Sequence, residues 1–534
     1  MKRILFIIPP HFTLEKYNIK TYISSSPYGI LSLISYINKY NKCDVSIIDS
    51  NQLLLNISDN SSFKQNMMDN IKSTIESFKP DYIGISALFD SNFSHLKYMI
   101  PEIKESYPKI LLVVGGGLAT NMYDKLLKEI PSIDAICFGE GEIPLKKLLE
   151  NDDLNDISSL SPAWITKESI INNVVPVSEL VEDLDEIPII DYSYIDIKKY
   201  NSRFPTLTDT FNNNKENKIE MIIHTSRGCP FNCIFCSNSS IHGKKIRYMS
   251  INKVKETIKY YIDKYGMNVL LIEDDNFLFN KERALEILRI IRDFNINVEF
   301  SNGVIVSAID DDISKSFYEN GIKSIVLPFE SGSDYVLKDI IQKPLNKKQI
   351  YDAVKSLKKF KIRIHAFIVI GLPNEFDEHR KETFDMLIDL GIDWVHIFIA
   401  VPVSGSRLYK ISKDNGYLLS ESYDNFNTNK CNIKAPGIDP EQIEKDSFYM
   451  NMVVNFVYNY NYKNKNYDRC LPYFLDVVKK YPDNAVVHYV LSNIYFQNKR
   501  IELYKKHKKI YEDIVKNNDF WKSFFIKLQK DNFI

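Results

Sequence analysis

Short apolar runs alternate with amphipathic stretches of helical length twice along this chain, and that double alternation restricts the fold more than any other feature of the sequence. In the first part, runs at residues 2–8, 45–49, 82–87, 110–115 and 135–139 read as strands, and stretches such as 30–40 and 93–105 have the length of crossover helices. The pattern predicts a doubly wound, Rossmann-like α/β sheet over residues 1–155. The second set of strands falls at 219–224, 269–273, 297–302, 324–328, 364–370 and 394–399, with helical patterns at 253–264, 281–293, 312–320, 347–359 and 378–390. Six strands joined by right-handed crossovers predict a parallel sheet curved into a partial (β/α)6 barrel over residues 216–405.

Between the two units, residues 156–215 are acidic, Pro-containing and Asn-rich (VEDLDEIPIIDYSY, then FNNNKENK) and read as a structured linker. Residues 406–534 read as an all-helical region rich in Tyr, Asn and Lys. There YPDNAVVHYVLSNIYFQNKR is similar to one tetratricopeptide helix-turn-helix, with Ala485, Tyr489, Leu491 and Tyr495 on the packing positions, but three repeats are not found. The aromatic stripe is expected to pack a core.

A chain of 534 residues with 44% apolar side chains has enough material for two or three domains. A formal net charge of −1 gives no reason to expect a nucleic acid or an anionic membrane as partner. No apolar run approaches the roughly 20 residues of a membrane span, and the opening MKRILFIIPP turns into Pro9 and Pro10 too soon for a signal peptide. A cytoplasmic protein is expected.

Parallel sheets take ligands outside the carboxyl ends of their strands. In the first unit those ends carry Pro9-Pro10, Ser86-Ala87, Gly115-Gly116-Gly117 and Gly139-Glu140-Gly141-Glu142. Three glycines after a strand let a backbone approach a large ligand, or simply make a tight strand-to-helix turn. The G-x-G-x-x-G pattern is absent, so a dinucleotide is not expected.

Three of the seven cysteines, Cys229, Cys233 and Cys236, stand in SRGCPFNCIFCSN directly after the first barrel strand. The others, Cys43, Cys137, Cys431 and Cys470, are scattered singly and form no disulfide framework. A tetrahedral zinc site would need a fourth ligand, for which His224 and His242 are the neighbours. Three thiolates on a four-iron four-sulfur (4Fe-4S) cluster leave one iron with open coordination, the vacancy that a catalytic cluster needs.

This C-x-x-x-C-x-x-C spacing, with aromatic Phe235 before the last cysteine, resembles the signature of the radical S-adenosylmethionine superfamily. The resemblance implies that the open iron chelates the amino and carboxylate groups of S-adenosylmethionine, and that one-electron reduction of the sulfonium releases a 5'-deoxyadenosyl radical. It continues down the barrel. Glu273-Asp274-Asp275-Asn276-Phe277 stands where the superfamily places groups that receive the substrate ammonium, and Glu330-Ser331-Gly332-Ser333 resembles the segment whose Glu approaches the ribose hydroxyls. The stretch from Phe367 to Glu375 resembles the strand that lines the adenine. Phe235, Asp274, Asp275, Glu330 and Ser331 are therefore expected among the cofactor residues, although Asp275 and Ser331 would also serve as helix caps.

With the barrel so read, Pro9-Pro10, Pro27-Tyr28-Gly29-Ile30 and the glycine-marked strand ends resemble the cobalamin-binding domain of the cobalamin-dependent class, as does the linker text from Asp183 to Pro188. Ser86, Gly115, Gly116, Gly117, Gly139 and Glu140 are then implied to hold cobalamin. The D-x-H-x-x-G motif that supplies an axial histidine is missing, and His11 and His95 lie outside such a context, so a base-off cofactor without axial histidine is expected. The class implies methylation of an unactivated carbon or of phosphorus in a small molecule. Its runner-up is a radical cyclisation or rearrangement, and a non-catalytic scaffold is the reading from another class. An external one-electron reductant such as flavodoxin or ferredoxin is implied as partner. Methylthiotransferases and peptide-maturing enzymes with auxiliary clusters are set aside, because no second cysteine set exists for another cluster.

Overall fold

The computed structural model describes residues 1–11, 25–54, 62–200, 218–420, 422 and 426–534. The strands of the first unit, β1 (Arg3–Ile8), β2 (Asp44–Asp49), β3 (Tyr82–Ser86), β4 (Leu111–Gly115) and β5 (Ala135–Cys137), lie parallel in the order β2-β1-β3-β4-β5, and β6 (Trp164–Ile165) adds an antiparallel edge to β5. Their aliphatic runs suit strands buried on both faces. Leu5, Ile7, Ile83, Ile85 and Leu112 pack with helices Phe63–Phe78 and Asn92–Ser106. The alternate residues Ile4, Phe6, Ile8, Tyr82 and Val113 pack with helices Tyr28–Tyr40 and Glu142–Glu150 on the opposite face. Strand order reverses between β1 and β3, which makes the gap between their carboxyl ends the crevice where such a sheet receives a ligand.

Residues 156–200 hold more regular structure than their text suggests. Trp164 and Ile165 extend the sheet with a run too short for periodicity to register. The acidic stretch coils into 3-10 turns at Leu184–Glu186, Tyr192–Tyr194 and Ile197–Lys199, each capped by the aspartate before it, Asp183, Asp191 or Asp196. The Asn-rich text at 211–217 lies outside the described residues.

The second unit contains β7 (Glu220–Ile223), β8 (Ser226–Arg227), β9 (Arg247–Tyr248), β10 (Val269–Ile272), β11 (Asn297–Phe300), β12 (Ser324–Glu330), β13 (Arg363–Ile370) and β14 (Trp394–Ile399). Six of these form two parallel half-barrels, β7-β10-β11 and β12-β13-β14, while β8 and β9 pair antiparallel as a separate stem. Among the described residues no ladder joins β11 to β12. Pro328 has no N–H to offer along the free edge of β12, and the turn after β11 lies close enough that a Cβ on Gly303 would sit 3.2 Å from the Val326 carbonyl oxygen. Outer helices begin at polar caps: Ser250 accepts the Lys253 N–H, Asn280 the Arg283 N–H, and Asn346 forms a capping box with Gln349. Ile325, Leu327, Ile364, Ala366, Val395 and Ile397 share a core with Ile350, Val354 and Leu387 of those helices. The side chains between them, among them Val326, His365, Phe367, His396 and Phe398, therefore stand on the inner face.

The C-terminal helices seal the last barrel edge. Asn455 accepts the Val395 N–H and donates to the Val395 carbonyl, both at 2.8 Å, so its amide mimics a neighbouring strand. Tyr473 hydrogen-bonds His365 at 2.7 Å and stacks on Trp394. Beyond, Ala485, Leu491 and Tyr495 are buried, and Tyr489 meets the rings of Tyr511 and Phe525, so the aromatic stripe is packing. Asn455 is fully buried, and its truncation would leave the Val395 amide and carbonyl unpaired. Asn455→Ala should lower unfolding free energy by about 2 kcal/mol or more, read from the urea midpoint; an unchanged midpoint would mean that water replaces the side-chain amide.

Candidate active site

The three cysteines lie on the loop 228–246, carried by the β8–β9 stem. Gly228 turns the chain into this loop with φ +99°, where a Cβ would overlap the Lys245 carbonyl oxygen. Cys229 N–H donates to the Gly243 carbonyl (3.2 Å) and Cys236 N–H to the Cys233 carbonyl (3.1 Å). Between the last two thiols, buried Ile234 is tied across the barrel mouth, donating to the Ile341 carbonyl (2.9 Å) and accepting from Leu408 (2.8 Å). Phe235 packs partly buried against the barrel core.

The acidic residues after β10 hold this loop. Asp274 Oδ1 accepts the Thr225 N–H (2.5 Å), and its Oδ2 accepts the hydroxyls of Thr225 (2.6 Å) and Ser226 (2.7 Å). Asp275 accepts from Gly228 N (3.1 Å) and Asn238 Nδ2 (2.7 Å), and Asn276 Nδ2 lies 2.7 Å from Cys229 Sγ. Arg283 donates to the Thr225 hydroxyl and carbonyl. Asp274 thus ties the strand end before the loop and Asp275 the loop itself, so both aspartates fix the segment that carries the thiols. Burial pushes the Asp274 carboxyl up in spite of those bonds.

Glu330 ends β12 at a register shift and takes φ +64°, uncommon for a residue with a side chain. Lys343 holds it there, donating at 2.8 Å to Glu330 Oε1 and to the Pro328 carbonyl. Ser331 is fully buried; its hydroxyl lies 3.1 Å from Thr383 Oγ1 and accepts the Ser333 N–H, which makes it a turn residue braced on the helix Asp377–Leu390.

At the first sheet, the loop after β1 is pinned by Asn51 to Pro9 and His11 and by Asn92 to Pro10. His11 meets Phe89 edge to face at 4.9 Å across the β1/β3 crevice. Leu88 and Phe89 are each 47% exposed there, which leaves apolar surface at the strand ends for a large flat ligand. Ser86 is partly exposed and in register with Gly115, whose Cβ position among the described residues meets only Cys137, at 3.7 Å. The other glycines answer to the chain itself. A Cβ on Gly116 (φ +112°) would sit 2.7 Å from the Ala87 carbonyl oxygen, on Gly117 2.8 Å from that of Leu88, and on Gly139 it would overlap the Ser178 hydroxyl. Gly116, Gly117 and Gly139 are thus required by loop packing. Both Glu140 oxygens are engaged within the chain: its carboxylate binds Arg247, with Arg227 and His242 beside it, on the thiol loop and its stem.

The two sets of strand ends face each other. Asp90 accepts the Ser404 N–H (3.1 Å), Asn121 lies against Gly405, and Gly117 lies against Ile241. A family model for the Radical SAM superfamily matches residues 223–387, and one for the B12 binding domain matches residues 17–149. An uncharacterized methyltransferase of Pyrococcus horikoshii is 30% identical over 449 residues, 83% of this chain and 90% of that protein. The chain belongs to the cobalamin-dependent radical S-adenosylmethionine family. It is similar to a cytidylyl-2-hydroxyethylphosphonate methyltransferase of Streptomyces wedmorensis, at 25% identity over 70% of this chain and 75% of that one. The fold is like that of TsrM, a radical S-adenosylmethionine methyltransferase from Kitasatospora setae solved with cobalamin and a 4Fe-4S cluster, at TM-score 0.59, 14% identity and 79% of each chain.

Membership makes the chain an enzyme whose cofactors are a 4Fe-4S cluster, S-adenosylmethionine and cobalamin. The donor set suits them. Three cysteine thiols stand free of disulfides on one loop, and exposed apolar side chains mark the sheet crevice. Burial pushes the Cys233 thiol up to about 12, so deprotonation there goes with metal binding. No helix among the described residues is long and apolar enough to cross a membrane.

At the end of β13, buried Glu375 accepts the N–H groups of Gly371 (2.6 Å) and Leu372 (3.2 Å), while Oε1 has no hydrogen-bond partner among the described residues. Burial pushes its carboxyl from 4.5 up to about 7, against those bonds and the charge of Arg380. The native state then holds the proton longer than the unfolded chain, so its contribution to stability is present below the ordinary value and is lost as pH rises to about 7. Glu375→Gln should therefore flatten the fall in melting temperature between about pH 5 and 8. Curves parallel to the parent's would show that the carboxyl ionises freely.

Proposed function

We propose that this enzyme methylates an unactivated carbon, or phosphorus, of a small molecule held in the barrel. The observation that carries the proposal is the opposition of the two ligand edges: the apolar crevice between β1 and β3 faces the thiol loop and the barrel mouth through the contacts of Asp90, Asn121 and Gly117. A methyl carrier held on one side can then serve a substrate held on the other. When bound, the cluster supplies electrons for one-electron cleavage of S-adenosylmethionine, and cobalamin carries the methyl group.

In this reading Cys229, Cys233 and Cys236 hold the cluster, and Asp274 and Asp275 fix the loop that presents them. Glu330, placed by its backbone and by Lys343, receives the ribose hydroxyls. Leu88, Phe89, Ser86 and Gly115 take the cobalamin face, with Gly116, Gly117 and Gly139 shaping the loops behind it. His224, which burial holds well below its ordinary value, stays neutral at the barrel mouth, 3.9 Å from Glu273 and with its ring stacked on Tyr28. Phe367, His396 and Phe398 give the inner wall an aromatic lining for the substrate. Cys236 is the most exposed of the three cysteine residues, and an external one-electron reductant would approach from its side of the loop.

Anaerobic protein should contain about four irons per chain, and Ala at any of the three cysteines should abolish the cluster; stoichiometric zinc without iron would refute the assignment. Loaded with hydroxocobalamin and reduced in the presence of S-adenosylmethionine, the enzyme should release S-adenosylhomocysteine together with 5'-deoxyadenosine. Release of 5'-deoxyadenosine alone would favour cyclisation or rearrangement. Glu330→Ala should weaken S-adenosylmethionine binding about tenfold or more with iron content intact, because charge-assisted hydrogen bonds are lost. Unaltered binding would reduce Glu330 to a turn residue.

A further inference from the structure

Arg227 and Arg247 stand directly opposite each other on the β8–β9 stem that carries the thiol loop. Like charges so placed repel, and both side chains are buried, with 6% and 3% of their surface exposed. The anions that neutralise them come from the first domain. Glu140 Oε1 accepts from Arg247 Nη2 (2.6 Å) and lies 2.8 Å from His242 Nδ1, on the loop itself. Glu140 Oε2 accepts from Arg247 Nη1 (3.0 Å) and lies 3.4 Å from Arg227 Nη1. Glu142 Oε1 accepts from Arg227 Nη1 (2.9 Å) and from Ser32 Oγ (3.0 Å). Two buried cations and two buried anions thus make a neutral group across the domain boundary. Burial alone would raise the Glu140 carboxyl, but the charge of Arg227 and the bonds from His242 and Arg247 hold it well below the carboxylate range. The anion is therefore permanent at any physiological pH.

We infer that Glu140 is a positioning residue for the cluster: by neutralising the stem it lets the thiol loop take the conformation that holds iron, so cluster assembly requires the first domain apart from any ligand that domain binds. The inference rests on the assignment of the cluster to Cys229, Cys233 and Cys236, which the iron content of the parent protein tests by itself.

The full-length parent, Glu140→Gln, and Glu140→Gln with Arg247→Gln are reconstituted anaerobically with iron and sulfide, desalted, and compared for iron per chain, for electron paramagnetic resonance of the reduced cluster, and for retained hydroxocobalamin. The single variant should retain at least about fivefold less iron while keeping cobalamin, because it strands a buried cation. The double variant removes that cation and should recover most of the iron. Equal iron and identical spectra in the parent and the single variant would overturn the inference. A double variant as poor as the single one would also overturn it, because Glu140 would then be acting on folding at large. Should Glu140→Gln not be recovered in soluble form, Arg247→Gln breaks the same neutral group from the other side, leaving two buried carboxylates against one buried arginine. It should also retain less iron with cobalamin kept, and unchanged iron would overturn the inference. A parent protein that takes up no iron would overturn it together with the cluster assignment.

Discussion

Backbone amides shielded from water have to be paired, and a loop whose thiols are committed to a cluster has few side chains of its own for the task. Much of the architecture around residues 228–246 meets that requirement from elsewhere. Asp274 and Asp275 supply acceptors from the end of β10, and Arg283 reaches the same point from the next helix. Ile341 and Leu408 reach the loop from the far half of the barrel. The loop is therefore a shared product of several crossovers. That explains why its surroundings hold hydrogen-bonded buried polar groups such as Thr225, Ser226 and Asp274, at a place where an isolated one would cost about 1 to 3 kcal/mol.

The sequence disclosed the elements better than the contacts between them. Strand runs were readable because buried parallel strands carry unbroken Ile, Val and Leu, and helices 281–293 and 347–359 were readable end to end because Asn280 and Asn346 cap them. The three thiols announced themselves by spacing. Glu140 did not reveal its partner: Arg247 lies 107 positions away, and nothing in a G-E-G-E text distinguishes an ion pair from a ligand contact. Gly116, Gly117 and Gly139 were legible as backbone requirements but not as to what crowds them, because the crowding atoms belong to Ala87, Leu88 and Ser178. Lys343 passed unnoticed, and Asn276, although it stands in the quoted acidic stretch, gave no sign of its contact with Cys229.

The C-terminal helices show the same limit from another side. Their composition announced helices, but their task is to cover the exposed edge of β14, and one buried amide, Asn455, does this by copying a strand's hydrogen bonds. Single residues of that sort have no pattern in a sequence.

The seam between β11 and β12 sets how the barrel can vary. Among the described residues no ladder spans that seam, so shear there breaks no strand pairing, while the Ile234 bonds to Ile341 and Leu408 tie the two halves at the mouth. The lumen's width is then governed by side-chain packing across Gly303 and Pro328, and not by strand number. Substitutions there can alter the bore in small steps while the thiol loop, fastened to β7 and β10, keeps its geometry. Capacity and chemistry are in this way separately adjustable within one domain.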